Sequence, residues 1–254
     1  MHDSTQRSGL HAAVFEALPL PALVHGRDTI SAANASALRL LDAGLKESLI
    51  GKPVADIVHP DARAAGEQRR SLLLEQGKAF VGLPLKLRTT TGEERHVVVG
   101  AVRFEFDGTH HALVVVTPLE SPFRVRPPSV RPSRAPEATN LFEAALTALP
   151  LPLLVVHDRR IAFINTAACG LLGHECTDDL MGIEALDVLH PQARTAMEER
   201  VGTLMSVGAN GMAIPLKTIG RDGSSDKVDA VAFALQHDGR NHFAFAVTRA
   251  PGTA

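Results

Sequence analysis

The sequence predicts an α+β protein made of two copies of one domain. Three observations carry that expectation: an internal repeat, the order of helix and strand signals within each copy, and paired Asp-Gly turns. The stretch Leu49-Ile50-Gly51 through Asp56, His59-Pro60 and Ala62-Arg63 returns as Leu180-Met181-Gly182 through Asp187, His190-Pro191 and Ala193-Arg194, at a constant offset of 131 residues. Without a gap, the same offset pairs Leu18-Pro19-Leu20-Pro21 with Leu149-Pro150-Leu151-Pro152, and Asn34 with Asn165. It also pairs Pro84-Leu85-Lys86 with Pro215-Leu216-Lys217, and Asp107-Gly108 with Asp238-Gly239. The predicted domains are residues 8–118 and 139–250, joined by a Pro/Arg/Ser-rich linker over 119–138 that reads as a solvated, semi-extended spacer.

Each copy opens with a helical pattern. Leu10, Val14, Phe15 and Leu18 stack at helical spacing in the first, and Leu141, Phe142, Ala145, Leu146 and Leu149 in the second. Both patterns stop at Leu-Pro-Leu-Pro, where proline removes a helix donor and biases its neighbour toward extended backbone. Strands follow at Ala22 to His25 and Leu153 to Val156. The next strand in the second copy, Arg160 to Ile164, runs into Asn165, a helix N-cap like Asn34. His59-Pro60 and His190-Pro191 start the longest helix, proline suiting a first turn whose amide is unpaired. Arg63/Glu67 and Arg194/Glu198 are spaced as i, i+4 pairs on its wet side. Three strands close each copy. Pro84 and Pro215 place the first of them at a sheet edge, and Asp107-Gly108 and Asp238-Gly239 supply the positive φ of tight hairpins.

The composition, 45% hydrophobic and 21% charged, is that of a soluble globular protein, and a net charge of −2 points to neither nucleic acid nor an acidic membrane. No apolar run approaches the ~20 residues a bilayer requires, and no signal-peptide core is present, so the expected location is the cytoplasm. The two cysteines, Cys169 and Cys176, suggest neither a disulfide framework nor a zinc site.

In this order of elements the residues resemble the PAS domain family. The second copy carries the resemblance most fully, with Ile161, Asn165, Ala167-Ala168, Leu172-Gly173, Asp178 to Gly182, His190-Pro191, Arg221-Asp222-Gly223 and Asp238-Gly239 in family order. The first keeps Asn34, Gly51, His59-Pro60 and Asp107-Gly108, but has Leu41-Asp42 and Thr90-Thr91-Gly92 where the family has Leu-Gly and Lys-Asp-Gly. The resemblance implies a five-stranded antiparallel sheet with helices on one face and a cavity between them. It also implies a bacterial-type sensor of small ligands, haem, flavin or light, or a dimerisation module. The chain lacks the Asn-Cys-Arg-Phe-Leu-Gln run of flavin-binding light sensors and a histidine suitably placed on the long helix for haem. No cofactor is expected, with a haem- or flavin-binding sensor as the lesser alternative.

Strand alternation gives the candidate faces. Val231, Phe233 and Leu235 are read with Phe243, Phe245 and Val247 as the inward face of the second copy, matched in the first by Val102, Phe104, Val114 and Val116. No acid, base, nucleophile or metal set converges there, so the expectation is a protein that is not an enzyme and binds no metal. Phe163, Asn165, Met197, Val201, Phe233, Phe243 and Phe245 are the cavity candidates for an apolar ligand; a core filled by its own side chains is the other reading. The opposite face is read as Ala230, Ala232, Ala234, Ala244 and Ala246, with Val97, Val99, Leu113 and Val115 in the first copy. These would be covered by a homodimer partner or by each copy's own preceding helix. The functional expectation is a stand-alone tandem sensor that relays its signal to a downstream protein. The alternatives are a ligand-free adaptor or the sensor fragment of a larger kinase or transcription regulator.

Overall fold

The computed structural model describes residues 2–118, 140–175, 177–207 and 212–249, with side chains described at 9–117, 140–175, 177–199 and 214–247. The expected linker, Cys176 and the side chain of Val201 fall outside these residues. The first copy runs α1 (His2–Ala17), β1 (Ala22–His25), β2 (Ile30–Ala33), α2 (Ala35–Leu40), α3 (Arg63–Gln76), β3 (Phe80–Arg88), β4 (Glu94–Phe106) and β5 (Thr109–Pro118). The second repeats it as α4 (Leu141–Ala148), β6 (Leu153–His157), β7 (Arg160–Ile164), α5 (Thr166–Leu171), α6 (Pro191–Val207), β8 (Met212–Lys217), β9 (Lys227–His237) and β10 (Arg240–Arg249). Each copy forms a five-stranded antiparallel sheet, ordered β2-β1-β5-β4-β3 and β7-β6-β10-β9-β8. Among the described residues no helix is long and apolar enough to cross a membrane.

The proline-bearing strands β3 and β8 are edges in both sheets, as a strand lacking one ladder donor must be. Asn34 and Asn165 do more than cap. Asn165 Oδ1 accepts from the amides of Ala168, in the first turn of α5, and of Leu153 on β6, both at 3.0 Å, while its Nδ2 donates to Leu151 O at 2.9 Å. Asn34 makes the matching set with Ala37, Ala22 and Leu20. One fully buried amide therefore fixes a helix start against the strand two elements earlier. The i, i+4 pairing expected on the long helix is not the one formed. Glu67 pairs with Arg70 and Glu198 with Arg159, while Arg63 and Arg194 each donate to the carbonyl five residues earlier.

The hairpin turns correct the face assignment. Phe106 pairs with Thr109 and His237 with Arg240, leaving two-residue loops whose Asp and Gly all have positive φ. Such a loop pairs an odd-numbered residue with an even-numbered one. Phe245 therefore faces the same side as Ala232, Val247 as Ala230, and Phe243 as Ala234. These six look toward the helices, as do Val97, Val99, Val114 and Val116 in the first copy. Phe233, Val231, Leu235, Ala244 and Ala246 lie on the far face, with Val102, Phe104, Leu113 and Val115 their counterparts.

The far faces are already covered. Residues 2–14 group with 151–249, and residues 15–118 with 140–150. Within the latter group α4 packs across β4 and Phe142 lies 5.3 Å from Phe15. Within the former, the ring of His11 meets Phe163 edge-on at 5.1 Å. The expectation that each preceding helix returns to its own sheet is thus corrected: α4 lies on the first copy's sheet and the start of α1 on the second's. Of the nine residues read as a dimer surface, all but Ala234 are buried by the chain itself, and Ala234 is half-buried.

Burial also sets a pH dependence. His25, His111 and His242 are all held below the ordinary histidine value of 6.5, chiefly because burial penalises the charged ring. The unfolded chain binds these protons and the folded chain does not. Their contribution to stability is therefore complete above about pH 6.5 and is lost as the pH falls through the depressed folded values. Urea midpoints should fall between pH 7.5 and pH 5.5, and His25→Gln should flatten that slope.

Candidate functional site

The second copy encloses a cavity of about 890 Å³ between its sheet and helices, whereas the corresponding space in the first measures about 120 Å³. The two are lined differently: α5 contributes to the second but α2 not to the first, and β4 contributes to the first but β9 not to the second. Arg103, on the helix-facing side of β4, donates to Leu74 O at 3.0 Å and ties that strand to the end of α3. Gly77 has to be there: at φ 69 it ends α3, and a Cβ would come within 2.9 Å of Arg103 Nη2. At the paired position the second copy has Ala234. Val99 is likewise replaced by Ala230 and Leu87 by Thr218, each substitution removing volume. Ala230 and Ala232 on β9 belong to the second copy's helix-facing core without lining the cavity.

The walls are Leu154 and Val156 from β6, Leu171 and Leu172 from α5 and the turn after it, Leu186, Val188 and Leu189 from the segment before α6, and Met197 from α6. Leu216, Phe243, Phe245 and Val247 complete them from the sheet. Thr218 is the one hydroxyl among the described lining residues, and it donates to Asp226 O at 3.3 Å. Apolar walls of this extent suit apolar contents better than polar ones. Among the described residues no nucleophile and base meet in it, and no group of three His, Cys, Asp or Glu is placed to hold a metal.

Charge is confined to the rim. The two-residue turn between β6 and β7 consists of Asp158 and Arg159, both with positive φ (47° and 66°), where glycine or asparagine is the usual choice. Arg159 reaches Glu184 Oε1 at 2.8 Å and Glu198 Oε1 at 3.2 Å, spanning from the turn to α6. These two carboxylates raise its pKa above the ordinary value. Arg240 and Asn241, at the start of β10, complete the rim beside His157, whose Nδ1 lies 3.3 Å from Asn241 O. Behind the rim, on the far face of the sheet, His157 stacks on His242 with ring centroids 4.4 Å apart.

Of the seven residues expected in the cavity, Met197, Phe243 and Phe245 line it. Phe233 and Phe163 are on the opposite face, packed in the core, and Asn165 is engaged by backbone groups of Leu151, Leu153 and Ala168. The rim arginines and the aliphatic walls were missed. The two-residue Asp-Gly turn was the signal that would have put Phe233 on the correct side.

The family description "PAS fold" matches residues 140–249, and "PAS domain" matches residues 22–117. Among solved structures the chain is similar to the PAS domain of an HTR-like protein from Haloarcula marismortui, with 18% identity, a TM-score of 0.39, and coverage of 46% of this chain and 92% of that one. It is similar also to the PAS domain of a protein from Desulfitobacterium hafniense, with 17% identity, a TM-score of 0.35, and coverage of 39% and 92%. An RNA-binding Light-Oxygen-Voltage receptor aligns over 91% of this chain and 95% of its own, at 11% identity and a TM-score of 0.38. No curated protein matches the sequence. The two matched segments, each coinciding with one five-stranded sheet and its helices, make this chain a member of the PAS family with two PAS domains in tandem.

Proposed function

We propose that the chain is a non-catalytic sensory protein whose second PAS domain takes up a small, largely apolar molecule and relays its presence to a partner protein, while the first domain is filled by its own side chains. The observation that carries this reading is the contrast between the two cavities, about 890 Å³ against about 120 Å³ on the same scaffold. At one lining position the second domain has Thr218 where the first has the larger Leu87, and a cavity costs stability unless something fills it.

Native mass spectrometry and an absorption spectrum of the full chain test the reading. The expected result is a colourless protein that carries, or takes up, one small organic molecule. A ligand at a hundred times its Kd adds about 2.7 kcal/mol of stability, a shift readily seen in a melt. Leu186→Trp, which fills the cavity from its wall, should abolish uptake without unfolding the chain. A Soret or flavin band would overturn the colourless reading. Uptake unaffected by Leu186→Trp would place the ligand elsewhere.

A further inference from the structure

We propose that the ion pair of Arg159 with Glu198 is a strap across the mouth of the second domain's cavity, which parts to let an apolar molecule in or out and so sets the rate of exchange more than the affinity. The proposal rests on the ligand-binding reading above and adds how the site is entered. Arg159 and Glu198 both line the cavity while their side chains are 66% and 50% exposed, so they stand where it opens. Their contact, Nη2 to Oε1 at 3.2 Å, runs from the turn between β6 and β7 to α6. In the strand order β7-β6-β10-β9-β8 that turn belongs to one margin of the sheet, whereas α6 packs on β8 and β9 toward the other. Leu154, Val156, Phe243 and Phe245, on the strands between, line the space that the contact spans.

The two ends of the strap are anchored differently. On the turn side the main chain is stitched down: Ala185 N donates to Arg159 O at 2.8 Å and Ile161 N to Ile183 O at 3.0 Å. Glu184 Oε1 holds the guanidinium there as well, at 2.8 Å, so Arg159 keeps its place when Glu198 lets go. The contact with Glu198 is the longer of the two and is made in water, where hydration and screening leave an ion pair little net strength. Such a contact opens often and at no cost to the core. The left-handed backbone at Arg159 holds a long cationic side chain in a turn that favours glycine, a strain that marks the position as serving more than the turn. The first domain has none of this. Asp28 and Pro53 stand in place of Arg159 and Glu184, and Glu67, the counterpart of Glu198, pairs with Arg70 on its own helix. The second domain has Val201 at the position of Arg70, which leaves Glu198 to the turn. The link across the mouth thus belongs to the domain with the larger cavity.

Stopped-flow mixing of the full chain with N-phenyl-1-naphthylamine, an uncharged fluorophore that brightens in apolar surroundings, reads entry and exit separately. Glu198→Gln should raise the association and dissociation rate constants together by about two- to fivefold, the range an exposed ion pair can supply, and leave Kd within about twofold. Arg159→Gln should do the same, and the double variant no more than either single one, as one shared contact requires. Sodium chloride at about 1 M should speed exchange in the wild type by a similar factor and change the Glu198→Gln rates less. Unchanged rates in both single variants, or effects that add in the double variant, overturn the strap and leave the ligand-binding reading in place. A chain that takes up no fluorophore, with Leu186→Trp giving the same blank as the wild type, overturns the ligand-binding reading and the strap with it.

Discussion

Replacing Phe233 with Ala should destabilise the second domain by about 3–5 kcal/mol, the range for a large aromatic side chain removed from a packed interior. Phe233 is 1% exposed and faces away from the cavity, so its removal opens a new void rather than widening an existing one. Phe243, on the neighbouring strand β10 opposite Ala234 and half-buried on the cavity wall, makes the contrasting case. Phe243→Ala should cost less stability and more ligand affinity. Chemical denaturation monitored by circular dichroism, with ligand titration of both variants, checks the pair. A Phe233→Ala protein as stable as the wild type would contradict its place in the core.

Asn165→Ala should cost about 3 kcal/mol or more. The substitution leaves the Leu153 and Ala168 amides and the Leu151 carbonyl unpaired in a region from which water is excluded, each at about 1–3 kcal/mol. Asn165→Asp discriminates between a cap and a tie. The carboxylate keeps both acceptor contacts but loses the Nδ2 donor and sets an anionic oxygen against Leu151 O, so it too should be destabilising, increasingly so as the pH rises above the carboxylate range. If Asn165 acted only as a cap, Asp would be as good as Asn. Thermal melts of both variants at pH 5.5 and 8 read the difference.

The architecture was legible because its signals are local or repeated. The offset of 131 residues carries every element of one domain onto the other, proline in Pro84 and Pro215 announces an edge, and Asn34 and Asn165 announce a helix start. The cavity was half legible. Its apolar character follows from alternation, but which of Phe233 or Ala232 faces inward depends on the parity of the hairpin. The Asp238-Gly239 dipeptide settles that parity only when its loop is counted as two residues. The rim was not legible at all. Arg159, Glu184, Glu198 and Arg240 are dispersed along the chain and share no period or motif, and only the closing of the sheet against α6 assembles them. The exchange of α1 and α4 between sheets was equally invisible, since an apolar helix face matches either apolar sheet face by composition.

The edge prolines have a consequence for how such a chain is made. Two similar domains synthesised in succession are each other's nearest competitor for strand pairing, and an incomplete sheet emerging first offers its open margin to the homologous strand that follows. Pro84 and Pro215 interrupt that margin on β3 and β8. The missing amide deprives an intruding strand of a continuous ladder, and the misassembled hybrid loses at the point where it would have to begin.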